Sequence, residues 1–165
     1  MTCIFSLLLA VFVPTFFRTI RSSKISEASE QLASLYRRTA VYFETASSAT
    51  GQHQCLPKSA GPTPLRAAAE PVEVDFLDAD RSDSEVWAAL GFHPERATRY
   101  RYSFLPKEHG CGQSTLTPNE ILVTLRAEGD LDEDGTLSTF ERHATTTSDG
   151  LLAPVGILYV VNRVE

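Results

Sequence analysis

The stretch IRSSKISEASEQLASLYRRTAVYFETA, residues 20–46, decides the fold. Ile25, Ala28, Leu32, Leu35, Tyr36, Thr39, Tyr42, Phe43 and Ala46 recur at steps of three and four, tracing one stripe along a helix. Arg21, Lys24, Glu27, Glu30, Arg37, Arg38 and Glu44 fall between them, on the other face. Upstream the chain reads MTCIFSLLLAVFVPTFF over residues 1–17, without a charge and without a turn before the amphipathic pattern begins. The two patterns together predict one helix from Ile4 to about Ala46, apolar all round at first and amphipathic later. At ~1.5 Å per residue such a helix is about 60 Å long. A domain of this size cannot cover it, so one end is expected to project into a membrane or into other subunits. Residues 1–46 are therefore a helical unit and residues 47–165 a head.

The 165 residues are 42% apolar and 22% charged, a globular balance that excludes wholesale disorder. Charge is unevenly placed: residues 1–47 carry a net +2 and residues 48–165 a net −8. An acidic body argues against a nucleic-acid partner, because phosphate binding needs clustered Lys and Arg. The apolar run falls about a turn short of the ~20 residues that span a bilayer. No Lys or Arg precedes it and no small-x-small site follows it, which is unlike a signal peptide. Pro14 removes a helical hydrogen bond and clashes with the preceding turn. A kink of this kind is tolerated in membrane helices, where neighbours satisfy the freed carbonyl.

In the head, residues 47–72 are rich in Ser, Ala, Gly and Pro and read as a long connecting loop, pinned at points along its length. Asp83 to Leu90 reads as a short helix with Asp83 at its N-cap and Gly91 at its end. Trp87 on it is expected in the core, where large aromatics dominate burial. Alternation then predicts strands over Tyr100 to Phe104, Ile121 to Ala127, Ser138 to Thr147 and Val155 to Asn162. Four strands joined by turns favour an antiparallel sheet packed on the amphipathic helix, an α+β fold.

The strongest chemical motif is DLDEDGTLSTFE, Asp130 to Glu141, which fits the twelve-residue calcium-loop pattern. Calcium is a hard cation and takes oxygen ligands. Asp130, Asp132 and Asp134 offer carboxylates at alternate positions, and Gly135 permits the sharp turn. Thr136 offers a backbone carbonyl, Ser138 acts through water, and Glu141 closes the site with two oxygens. Three carboxylates within five residues repel one another unless a cation sits among them. The strand pattern before the loop argues against a helix-loop-helix sensor. Calcium is then expected to staple an exposed loop.

An apolar helix with a proline, then aromatic and basic residues, then an amphipathic half resembles the type IV pilin layout. The stretch VFVPTFFRTIRSSKISEASEQLASLY carries this resemblance. WAALGF (Trp87 to Phe92), YRYSF (Tyr100 to Phe104) and GDLDEDGTLSTFE (Gly129 to Glu141) are similar to pilin-like proteins of deltaproteobacterial type. The resemblance implies a long N-terminal helix packed in a filament core, with a small antiparallel sheet displayed outside. Its assembly surface would comprise Leu7, Leu8, Leu9, Val11, Phe12, Val13, Pro14, Phe16 and Phe17. The implied partners are copies of this chain or other pilin subunits. The implied location is the inner membrane before assembly and the cell surface afterwards.

The basic leader, the Gly and the following Phe or Met with glutamate that prepilins carry do not occur before Ile4. A start placed inside the anchor, or an atypical minor subunit, is the expectation. Arg18, Arg21 and Lys24 would hold their side of the anchor in the cytoplasm by the positive-inside rule, whereas pilins place that side outside. The resemblance is preferred here over the charge rule.

Cys55 and Cys111 both lie in turn contexts of the head. In an extracytoplasmic protein they are expected to form a disulfide that closes a long loop. His53-Gln-Cys55 and His109-Gly-Cys111 leave a tetrahedral zinc site as the rival. Cys3 reads as apolar filling of the anchor. Nucleophile-elbow, zinc-protease and phosphate-loop motifs are missing from the sequence, and His93 and His143 read as isolated surface histidines. A filament subunit is the first functional reading. A membrane-anchored periplasmic module that binds its target through calcium is the alternative.

Overall fold

The computed structural model describes residues 25–45, 55–107, 120–147, 149 and 151–162. The anchor positions Leu7 to Phe17, with Pro14, lie outside these residues, as do Cys3, Cys111 and Ala46. No helix among the described residues is long and apolar enough to cross a membrane.

Residues 25–44 are helical and form α1. Ala28, Leu32, Leu35, Thr39 and Phe43 are fully buried along one side. Their spacing repeats at close to 3.6 residues, so the stripe stays in register with the core for about four turns. Ile25, Tyr36, Ala40 and Tyr42 pack at the margins of that stripe. Thr39, the one polar residue on it, donates its hydroxyl to the Leu35 carbonyl at 2.8 Å. That bond satisfies the buried hydroxyl within the helix itself.

Among the described residues the head is an antiparallel sheet of five strands in sequence order. They are β1 (Ala60–Thr63), β2 (Arg101–Pro106), β3 (Val123–Gly129), β4 (Ser138–Thr146) and β5 (Leu152–Val161). A short helix, α2 (Ser84–Leu90), lies between β1 and β2. The alternation Val123, Leu125, Ala127 and Gly129 places every second residue of β3 in the core. Thr124, Arg126 and Glu128 face outward. The inner face receives α1 on one side of the core, while Phe76, Trp87, Phe92 and Tyr102 interlock as an aromatic cluster with ring centroids 5.5–6.3 Å apart. Trp87 is fully buried, as its chemistry led us to expect.

The sheet holds one strand more than the sequence pattern predicts. β1 lies within the stretch read as a loop, and it carries Gly61, Pro62 and Thr63, residues that signal turns rather than strands. It pairs with β2 only at Ala60–Phe104 and Thr63–Tyr102. A Cβ at Gly61 would fall 2.2 Å from the Tyr102 carbonyl oxygen, and its φ is +89°, so this position accepts glycine alone.

Two longer links tie α1 to the head. Glu27 receives the Thr98 hydroxyl at 2.8 Å and the Arg99 backbone N–H at 2.9 Å, with the Arg99 guanidinium 3.3 Å away. At the far end, the Tyr36 hydroxyl donates to the Leu152 carbonyl at 3.1 Å, and the Arg142 guanidinium sits over the Tyr36 ring.

Candidate metal centre

The β3–β4 connection is the Asp-rich loop. Gly129 pairs with Ser138, so residues 130–137 form an excursion closed by the sheet beneath it. Within it, three carboxylates are drawn into turns by backbone donors. Asp132 accepts the Asp134 N–H at 3.4 Å, Asp130 accepts the Gly135 N–H at 3.2 Å, and Asp134 accepts the Thr136 N–H at 2.6 Å. Glu133 and Gly135 both take positive φ, +62° and +87°, which curls the chain tightly around the acidic groups. Leu131 packs back on the core and fixes the base of the excursion.

One oxygen each from Asp130, Asp132 and Asp134 lies within 4.8 Å of the others. Two oxygens on one calcium ion lie at most about 5 Å apart, twice the ~2.5 Å bond length. The second Asp130 oxygen, Oδ1, is buried without a hydrogen-bond partner. An unpaired buried carboxylate oxygen is costly unless a cation or water meets it. The three aspartates could therefore hold a cation, with Asp132 and Asp134 exposed to solvent.

Of the remaining members of the twelve-residue pattern, Ser138 and Glu141 are engaged elsewhere. Ser138 is fully buried and its hydroxyl donates to the Gly129 carbonyl at 3.2 Å, so it serves the sheet. Thr136 is exposed, its N–H committed to Asp134. Glu141 sits in β4 opposite Arg126, three residues or about 10 Å along the strand from Ser138. Its Oε1 pairs with Arg126 Nε at 2.6 Å and its Oε2 with His143 Nε2 at 3.3 Å. Strand pairing has taken the residue that in the helix-loop-helix pattern would close the ion's shell.

That same row corrects the reading of His143 as isolated. Its Nδ1 stands 3.1 Å from the Thr124 hydroxyl, so Arg126, Glu141, His143 and Thr124 form a continuous polar chain across β3 and β4. Arg101 and Glu128 make a parallel pair at 2.9 Å on the same face. The period-2 alternation of both strands puts these residues outward together, a signal present in the sequence once the register is known.

Asp83 is a second acidic centre, and it differs from its expected role as a side-chain cap. It precedes α2, but its carboxylate makes no cap bond. Oδ2 instead accepts from the Thr63 hydroxyl at 2.5 Å, Trp87 Nε1 at 2.9 Å and the Gly61 N–H at 3.1 Å. Burial alone would raise this carboxyl. The donors Thr63 and Trp87, the Arg81 guanidinium and the Gly61 N–H outweigh it and hold the group below its ordinary value. The centre is a structural knot joining β1 to α2.

Cys55 is disulfide-bonded. The sequence matches no family model, no curated protein and no solved structure.

Proposed function

We propose that the chain is a structural subunit of a type IV pilus-like extracellular filament, assembled through its N-terminal helix and displaying a calcium-stapled head. The observation that supports this most is the burial of Ala28, Leu32, Leu35, Thr39 and Phe43 of α1 in the inner face of an antiparallel sheet. On this reading the apolar run Leu7 to Phe17 would continue the helix and would pack against the same run in other copies. Before assembly that run would sit in the inner membrane, and afterwards inside a fibre at the cell surface. The pilin-like reading of the fold rests on this arrangement together with the sequence resemblance. Calcium enters as a staple of residues 130–134, held by the three aspartates; its binding energy would add to the stability of the head.

Charge placed in the apolar run tests the assembly. Phe12→Glu with Phe16→Glu should abolish surface fibres while the chain is still produced. Fibres of normal number from that variant would refute the role given to the helix.

A further inference from the structure

Arg37-Arg38 is the one adjacent pair of basic residues in the sequence, and both side chains are exposed on α1. Neither has a carboxylate partner among the described residues. They rim a groove of about 500 Å³ between α1 and α2, with Val41, Ala88, Ala89 and Leu90 as its apolar lining. Val41 is 63% exposed there. A Cβ at Gly91 would fall 3.1 Å from Arg38 Nη1, so that guanidinium lies across the end of α2. Among the described residues no acidic side chain lines the groove.

The opposite chemistry stands in the turns that lead into α2. Residues 70–80, EPVEVDFLDAD, hold five carboxylates and no basic residue. All five are exposed, and none has a basic partner among the described residues. Leu77 stands among them, 44% exposed. This ridge is already shaped. Phe76 is buried against Trp87 and Phe92, Asp75 Oδ1 accepts the Leu77 N–H at 2.8 Å, and Asp78 Oδ1 accepts the Asp80 N–H at 3.0 Å. A ridge held in this way loses little freedom when it docks.

We propose that the groove of one copy receives the 70–80 ridge of a second copy, with Leu77 on the apolar floor and the carboxylates around it facing Arg37 and Arg38. Charge complementarity selects this occupant, and the apolar match narrows it. The groove offers two unpaired guanidinium groups around an apolar floor, and the ridge offers unpaired carboxylates around an apolar side chain. The other acidic segment, residues 130–134, fails the second condition, because Leu131 packs back on the core. The contact is small, so it is weak between two copies and strengthens where many copies are held together. Groove and ridge are different patches of one molecule, so the contact is heterologous and repeats from copy to copy. It joins head to head and uses no part of the apolar run Leu7 to Phe17, so it stands apart from the assembly proposed for the helix.

The test uses the full chain with a benzophenone amino acid in place of Ala79, which is exposed on the ridge. Ordinary and heavy-nitrogen protein are mixed in equal parts, irradiated and mapped by mass spectrometry. The expected product joins the residue-79 peptide of one copy to a peptide holding Val41 or Ala89 of the other. Arg37→Glu with Arg38→Glu should lower its yield about tenfold, since like charges then face one another. Adding Glu73→Lys with Asp80→Lys, whose carboxylates make none of the ridge's own hydrogen bonds, should restore it. Lys58→Glu with Arg66→Glu makes the same change in net charge on exposed residues outside the groove, and should leave the yield unchanged. No product between copies would overturn the proposal. So would a product at another segment or with a different protein, or a charge swap that restores nothing. Fibres without this product would overturn the contact and leave the filament reading standing, whereas the product without fibres would support the contact and count against the filament.

Discussion

The ring of Tyr100 lies against Gly129 so closely that a Cβ at residue 129 would fall 2.6 Å from Tyr100 Cε1 and 2.8 Å from Cδ1. Gly129 is the last residue of β3, and Asp130 follows it directly. Tyr100 in turn packs edge-on against Phe140 at 5.8 Å. The core therefore grips the acidic loop at its root, through the one residue small enough to admit the ring.

Gly129→Ala should thus force Tyr100 away from Phe140. The expected loss is about 1–3 kcal/mol, the usual range for overpacking. Urea unfolding of the variant against the parent checks it. An unchanged midpoint would mean that the ring moves freely and that the root of the loop is not gripped.

Asp83 should make the head acid-labile. Its carboxyl is held below the ordinary 3.8, so its contribution is present above that pH and is lost as pH falls through the depressed value. Asp83→Asn keeps an acceptor for Trp87 but removes the charge. It should cost about 1.5–3 kcal/mol at neutral pH and flatten the fall in stability below about pH 4. Thermal melts across that range measure both effects.

At the alkaline end the sign reverses. Burial, with Glu27 nearby, pushes the Tyr100 hydroxyl up to about 12, and burial pushes Tyr102 higher still. Folding therefore holds these protons more tightly than the open chain does. Stability is full below pH ~10 and falls as pH rises through the folded values. Absorbance of ionised tyrosine should show Tyr100 and Tyr102 titrating only with unfolding. Their early titration, without loss of secondary structure, would contradict the burial assigned to them.

Much of this was legible in the sequence, for reasons that differ by element. The α1 stripe and the alternation in β3 are direct imprints of burial on one face, so periodicity finds them. β1 escaped because Gly61 and Pro62 are turn residues by propensity, and only the tertiary contact with Asp83 and Tyr102 makes a strand of them. The three aspartates were readable from their spacing. The fate of Glu141 was not, because it depends on the β3–β4 register that places Arg126 opposite it.

That register gives the calcium prediction its shape. Calcium should raise the melting temperature of the protein, by about 2.7 kcal/mol of stabilisation at a hundredfold excess over its dissociation constant. Asp132→Ala should remove most of the shift and Glu133→Ala should leave it. Glu141→Ala should lower stability with and without calcium alike, since its partners are Arg126 and His143. A calcium-specific loss in Glu141→Ala would instead show that the strand end rearranges to complete the ion's shell.

The filament reading is tested most directly by electron microscopy of fibres sheared from cells that make the chain, reconstructed to a resolution at which helices are visible. The expected density has helices continuous with α1 bundled at the centre, and five-stranded heads on the outside with β5 at their edge. Fibres built from some other protein, or a fibre core filled by the sheets with α1 turned to solvent, would contradict it.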